Sequence, residues 1–201
     1  MEHREQIGIL IGAWDRYAVE IGALANSLRD AGFYVVIGYD AKAVMPSATV
    51  VNSCDFFFSG GIWRNKQSGH LSQIQTGLAH LKERGYKYTL STTGDALIAK
   101  PGGIPSLVNV LDDQNVITCH WRDQCGTNTF FGKTAELLGV YLDIPTGPPQ
   151  IERKFRKALR RNHITYTIHP CSAEDLGIWG KTIGFQRGNG NYKPPILPLR
   201  Y

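Results

Sequence analysis

Asp95 stands at the end of Tyr86-Lys87-Tyr88-Thr89-Leu90-Ser91-Thr92-Thr93-Gly94-Asp95, where an apolar segment with strand character runs out into a turn. A carboxylate there has two readings. It can hold a hard cation such as Mg2+ or Mn2+, which takes oxygen ligands and is served by one or two carboxylates plus phosphate oxygens and water. It can equally cap the turn that follows. Three more apolar segments end in groups able to meet a charged or flat ligand: Ala13-Trp14-Asp15-Arg16, Tyr39-Asp40 and Gly60-Gly61-Ile62-Trp63-Arg64. The Trp14 ring can stack on a ligand or fill a core. Arg16 and Arg64 can neutralise an anion or sit in solvent, and Asp40 can serve a ligand or a solvated turn.

The elements that must place these groups follow from the hydrophobic period. Ile7 to Gly12 is a continuous apolar run, the pattern of a strand buried on both faces. Ile21, Leu24 and Leu28 then recur at helical spacing, with Asp15 as a start cap and Gly32 as the stop. Phe33 to Ile37 is the second strand. Strand, helix and strand in this compass make a βαβ unit, which requires a parallel sheet and a right-handed crossover. The unit repeats with a strand at Asp55 to Phe58, a helix marked by Leu71, Ile74, Leu78 and Leu81 and ended by Arg84-Gly85, and a strand from Tyr86 to Leu90. Beyond it the pattern predicts a helix from Ile104-Pro105 through Leu111, strands at Val116 to Cys119 and Thr129 to Phe131, and a helix from Lys133 to Tyr141. A rigid connection from Pro145 to Pro149 leads to a helix with Ile151, Phe155, Ala158 and Leu159 on one face, and a late strand covers Ile164 to Ile168. In an open parallel sheet the loops leaving the carboxyl ends of strands share one edge, and ligands bind there. That rule gathers Trp14, Asp40, Arg64 and Asp95 at one edge.

The 201 residues suit one domain that buries a full core. We expect residues 1–187 to form it and 188–201, with Gly188-Asn189-Gly190-Asn191 and several prolines, to be an irregular tail. A net charge of +5 suits an anionic partner without choosing among nucleotide, phosphorylated lipid and nucleic acid. The first apolar run is too short for a signal or a membrane span, so the expectation is a cytoplasmic protein with no transmembrane segment, at most peripheral to a membrane. The four cysteines, Cys54, Cys119, Cys125 and Cys171, include no C-x-x-C, which argues against a zinc ribbon or a thioredoxin-type site. Cys54 and Cys119 read as small buried hydrophobes. Neither G-x-G-x-x-G nor a Walker-type phosphate loop occurs, which leaves a nucleotide to be held by side-chain stacking and carboxylates.

The segment Gly69-His70-Leu71-Ser72-Gln73-Ile74-Gln75-Thr76-Gly77-Leu78, followed by Gly85 to Ile98 and preceded by the unit from Ile7 to Asp40, resembles the GT-A glycosyltransferase superfamily. The resemblance implies a single-domain α/β fold: a GT-A-like, Rossmann-like, mostly parallel central sheet flanked by helices. It also implies transfer of a sugar from a nucleotide-sugar donor to a glycan or another hydroxyl acceptor. In that family an Asp-x-Asp holds a divalent metal bridging the donor diphosphate; here Thr93 takes the first place and Asp95 the second. By the same resemblance Ala13 and Trp14 would meet the nucleotide base, Asp40 the base or ribose, and Arg16 or Arg64 the diphosphate. Gln73 joins the donor-binding set, and His169 would join Asp95 on Mn2+ or Mg2+.

The polar stretch from His120 to Thr129 falls where family members build the acceptor side of the cleft. Asp123 is the expected general base if the reaction inverts configuration, because an acceptor hydroxyl is a poor nucleophile until its proton is taken. Glu152, Glu174 and Asp175 are its rivals, and a loop acid accepting backbone hydrogen bonds is the plain alternative. His120 and His169 stay open between metal ligand and ordinary paired histidine. Arg153, Lys154, Arg156, Lys157, Arg160 and Arg161 read as a solvated basic helix face, or as a contact for an acceptor, an anionic membrane or nucleic acid. Two functions compete with the transferase: a non-catalytic nucleotide- or carbohydrate-binding relative, and a basic nucleic-acid-binding protein.

Overall fold

Strand β1 (Ile7–Ala13) is buried at all seven positions. Its unbroken apolar run demands this, because alternate side chains face opposite sides of the sheet and both sides are covered. Ile7, Ile9, Ile11 and Ala13 enter one core layer and Leu10 the other. The computed structural model describes residues 3–13, 18–39, 47–59, 66–94, 97–98, 101–111, 115–119, 129–145, 151–169 and 178–179.

Helix α1 (Ala18–Asp30) lays Ile21, Leu24, Ala25 and Leu28 on the first layer. It ends in a Schellman turn: Gly32, at φ +84°, donates to the Arg29 carbonyl while the Phe33 amide donates to that of Leu28. Strand β2 (Tyr34–Tyr39), helix α2 (Ala48–Asn52), strand β3 (Phe56–Ser59), helix α3 (Lys66–Glu83) and strand β4 (Tyr88–Thr93) follow. Next come β5 (Leu97–Ile98), a 3-10 turn (Pro101–Ser106) running into α4 (Leu107–Val110), then β6 (Asn115–Cys119) and β7 (Phe130–Lys133). The described chain closes with α5 (Thr134–Leu142), α6 (Ile151–Arg161), β8 (Thr165–His169) and β9 (Ile178–Trp179).

Among the described residues seven strands form one sheet in the order β3-β2-β1-β4-β7-β6-β8. The pairs β3-β2, β2-β1, β1-β4 and β6-β8 are parallel, whereas β7 runs antiparallel to both β4 and β6. The sheet is therefore mostly parallel and flanked by helices, as expected. The reversed β7 is a feature that hydrophobic period cannot reveal, since period is blind to strand direction. Helices α3, α5 and α6 cover the second face with Leu71, Ile74, Leu78, Leu137, Tyr141 and Phe155. Helix α3 approaches β1 very closely: a Cβ on Gly77 would meet Leu10, and one on Gly8 would meet Leu81. Each leucine fills the notch left by the opposing glycine.

Several expectations need correction. Ser91, Thr92 and Thr93 belong to β4, not to a loop. Their hydroxyls hide the strand in the sequence, but the interior pairs such groups: Thr92 Oγ1 lies 3.1 Å from Thr129 Oγ1, and Thr89 Oγ1 lies 2.9 Å from Thr134 Oγ1. Helix α2 is one turn rich in β-branched residues, and the β5-β9 ribbon has two residues per strand, so neither carries a period to read. Lys154 does not join the solvated basic face; it is 7% exposed and its ammonium donates to the Pro145 carbonyl at 2.8 Å. The expected tail at 188–201, the Asp15 cap and the side chains of Cys119, Cys125 and Cys171 lie outside the described residues. No helix among the described residues is long and apolar enough to cross a membrane.

Cys54 is half-buried, not buried, with its sulfur 3.5 Å from the Val51 carbonyl. Burial, helped by the neighbouring Asp55 charge, pushes its thiol up to about 11. The thiolate is the reactive form. At pH 8 Cys54 should therefore alkylate with iodoacetamide about a hundredfold more slowly in the native protein than in urea, two pH units of titration being a factor of a hundred. Peptide mass spectrometry over a time course reads this, and equal rates in the two states would contradict it.

Candidate functional site

Strands β1, β2, β3 and β4 are parallel, so Ala13, Tyr39, Ser59 and Thr93 end at one edge of the sheet. The chain order reverses between β1 and β4: β2 and β3 lie on one side of β1, and β4 returns to the other. Such a reversal opens a crevice at the carboxyl ends of the two strands. Here the Gly94 amide donates to the Gly12 carbonyl at 2.8 Å and ties the two strand ends together. A Cβ on Gly94 would lie 2.5 Å from Ile21 Cγ1, so the backbone forms the floor and leaves no room for a side chain.

Gln73, from α3, closes the floor from the other layer. It is 1% exposed, and its Nε2 donates to the Ala13 carbonyl at 3.3 Å. The glycine at position 38 eases this approach, since a Cβ there would be 3.2 Å from Gln73 Cβ, while the place of a Gly12 Cβ is in ordinary contact with Gln73 Oε1 at 3.5 Å. Gln73 Oε1 is buried with no hydrogen-bond partner among the described residues. His70, three residues earlier on the same helix face, brings its Nδ1 to 3.4 Å from the place of a Gly12 Cβ. Sequence gives one signal for it, the three-residue spacing from Gln73.

The structure thus brings together Ala13 and Gln73 of the expected donor set. Trp14 follows β1 directly, Asp40 follows β2, Arg64 comes five residues after β3 and Asp95 two after β4; all four lie outside the described residues. So do Arg16, His120, Asp123, Glu174 and Asp175, and the side chains of Glu152 and His169. The His169 backbone closes β8, three strand positions from β4, roughly 14 Å across the sheet. Thr93 is 5% exposed and pairs in register with Gly12. Among the described residues no group of three His, Cys, Asp or Glu side chains could hold a metal ion.

A cavity of about 610 Å³ lies at the opposite, amino edge, with Arg4, Arg29, Phe33, Tyr34, Asp55 and Tyr86 in its wall. Arg29 and Asp55 in its wall are engaged in holding the fold. Arg29 Nε donates to Asp55 at 3.2 Å and its guanidinium reaches the Asn52 carbonyl at 3.3 Å. The other Asp55 oxygen accepts the Val35 amide at 2.8 Å.

Sheet order, layers and switch point define a GT-A-like α/β fold. No protein-family model and no curated protein sequence matches the chain, but solved structures do. A candidate nucleotide-diphospho-sugar transferase from Desulfovibrio desulfuricans G20 superposes with a TM-score of 0.55 at 12% identity, covering 82% of this chain and 80% of that one. A glycosyltransferase involved in the glycosylation of the major capsid of PBCV-1 superposes with a TM-score of 0.53 at 15% identity, covering 82% of each chain. At these identities the likeness is one of fold.

Proposed function

We propose that the chain is a glycosyltransferase that moves a sugar from a nucleotide-diphosphate donor to a hydroxyl of a glycan or another acceptor. The observation that carries this reading is the β1/β4 switch point, where Gly12, Ala13, Thr93 and Gly94 form a backbone floor closed by buried Gln73. In this reading Trp14 stacks on the base beside Ala13, Asp40 takes the base or ribose, and Arg64 lies against the diphosphate. The described residues supply no cation ligand set of their own. A divalent cation such as Mn2+ or Mg2+ would be held by Asp95 and the diphosphate oxygens, with His169 as a further ligand, and would neutralise charge on the leaving diphosphate. Asp123 takes the acceptor proton if the reaction inverts.

A thermal-shift screen of nucleotides and nucleotide sugars, with and without Mn2+, tests the reading. A donor at a hundred times its Kd stabilises by about 2.7 kcal/mol, a rise of roughly 5–10 °C for a chain of this size. Asp95→Asn should leave the melting temperature without nucleotide unchanged and remove the Mn2+-dependent part of the rise. If no nucleotide stabilises the protein, the donor reading fails. Thr93, a buried alcohol where the family has an acid, favours a second reading, a non-catalytic relative that binds the donor. Stabilisation by nucleotide sugar with no donor hydrolysis or transfer would select it.

A further inference from the structure

Helix α6 carries six cations, and the structure divides them. Lys154 turns inward to the Pro145 carbonyl. Arg161 is engaged with Asp143, donating to its carbonyl at 2.6 Å with Nε 3.8 Å from its carboxylate. The other four, Arg153, Arg156, Lys157 and Arg160, have no carboxylate partner among the described residues. Spaced at i, i+3, i+4 and i+7, they fall within about 100° of helical arc along roughly 10 Å of axis. This arc lies opposite the buried Ile151, Phe155, Ala158 and Leu159. Arg153, Lys157 and Arg160 are exposed.

We propose that this ridge is a docking surface for an anionic lipid bilayer. The ridge is the convex outer face of a single helix, a shape that meets a flat array of headgroup phosphates. Between its cations it offers none of the amide side chains that read bases in a duplex groove, and no aromatic platform for single-stranded bases, since its one aromatic, Phe155, is fully buried. Cations near an anionic leaflet each raise binding about fivefold, and salt weakens the attraction.

The test is sedimentation of the full chain with vesicles of phosphatidylcholine alone and of phosphatidylcholine mixed with phosphatidylglycerol. The expected result is binding to the mixed vesicles only, weakened by salt. The triple variant Arg153→Gln/Lys157→Gln/Arg160→Gln should bind the mixed vesicles roughly a hundredfold more weakly, with the melting temperature unchanged because these side chains have no packing role. No binding to the mixed vesicles at low salt, or equal binding by the variant, would overturn the proposal. So would binding of duplex DNA by the wild-type chain with none to the vesicles, which would give the ridge to nucleic acid. The proposal does not depend on the donor site: nucleotide-dependent stabilisation should be the same in the triple variant and the wild type.

Discussion

Phe155→Ala is expected to destabilise the chain by about 3–5 kcal/mol and to lower its melting temperature by on the order of 10 °C. Phe155 is fully buried, and its ring stands 5.0 Å from that of Tyr141 and 5.9 Å from that of Phe130. Truncation leaves a cavity that these neighbours cannot easily fill. Phe130 is fixed in β7, between two paired strands, and the Tyr141 carbonyl is held by Gln75 Nε2 at 2.8 Å. The cost therefore includes the missing ring contacts as well as the lost transfer from water. Phe155→Leu, which keeps most of the volume, should cost far less. Urea unfolding of both variants reads the difference. A loss below about 1 kcal/mol in the alanine variant would mean that this ring does not dock α6 on the sheet.

The same helix shows how far the sequence could be read. Its apolar stripe and basic face both follow from the 3.6-residue period, as do the buried faces of α1 and α3. What the period could not settle was Lys154, which lies at the border of the two faces and is decided by a carbonyl, that of Pro145, from another segment. The end of β4 failed for the same kind of reason. Ser91, Thr92 and Thr93 are polar by composition and become strand because their backbone pairs with Leu10, Ile11 and Gly12 of β1, while Thr129, far along the chain, meets the buried Thr92 hydroxyl. The candidate site was legible as a set of strand ends, since a parallel sheet must bring those ends to one edge. The floor between them was not. The roles of Gly38 and Gly94 are fixed by what a side chain there would strike, Phe58 from β3 and Gln73 from α3 in one case and Ile21 from α1 in the other.

Gln73→Glu probes that floor most severely. The substitution is nearly isosteric, but it replaces an N–H donor 3.3 Å from the Ala13 carbonyl by an oxygen that cannot donate when ionised. A carboxylate would then be buried at a position 1% exposed, facing a second acceptor with no cation beside it among the described residues. Uncompensated charges of this kind cost roughly 3–5 kcal/mol. Desolvation raises the pKa of such a carboxyl in the folded state above its unfolded value. The variant should therefore approach wild-type stability at pH 5, where the protonated acid can again donate to Ala13, and lose ground as pH rises toward 7.5. Gln73→Leu, which leaves the Ala13 carbonyl unpaired without burying charge, should cost about 1–3 kcal/mol at both pH values. Urea midpoints at pH 5 and 7.5 separate the two, and a glutamate variant that matches wild type at pH 7.5 would remove Gln73 from the buried floor. Nucleotide-dependent stabilisation of the leucine variant then distinguishes two roles. If it persists, Gln73 shapes the floor beneath the donor; if it is lost while the fold survives, the buried Oε1 is a ligand contact.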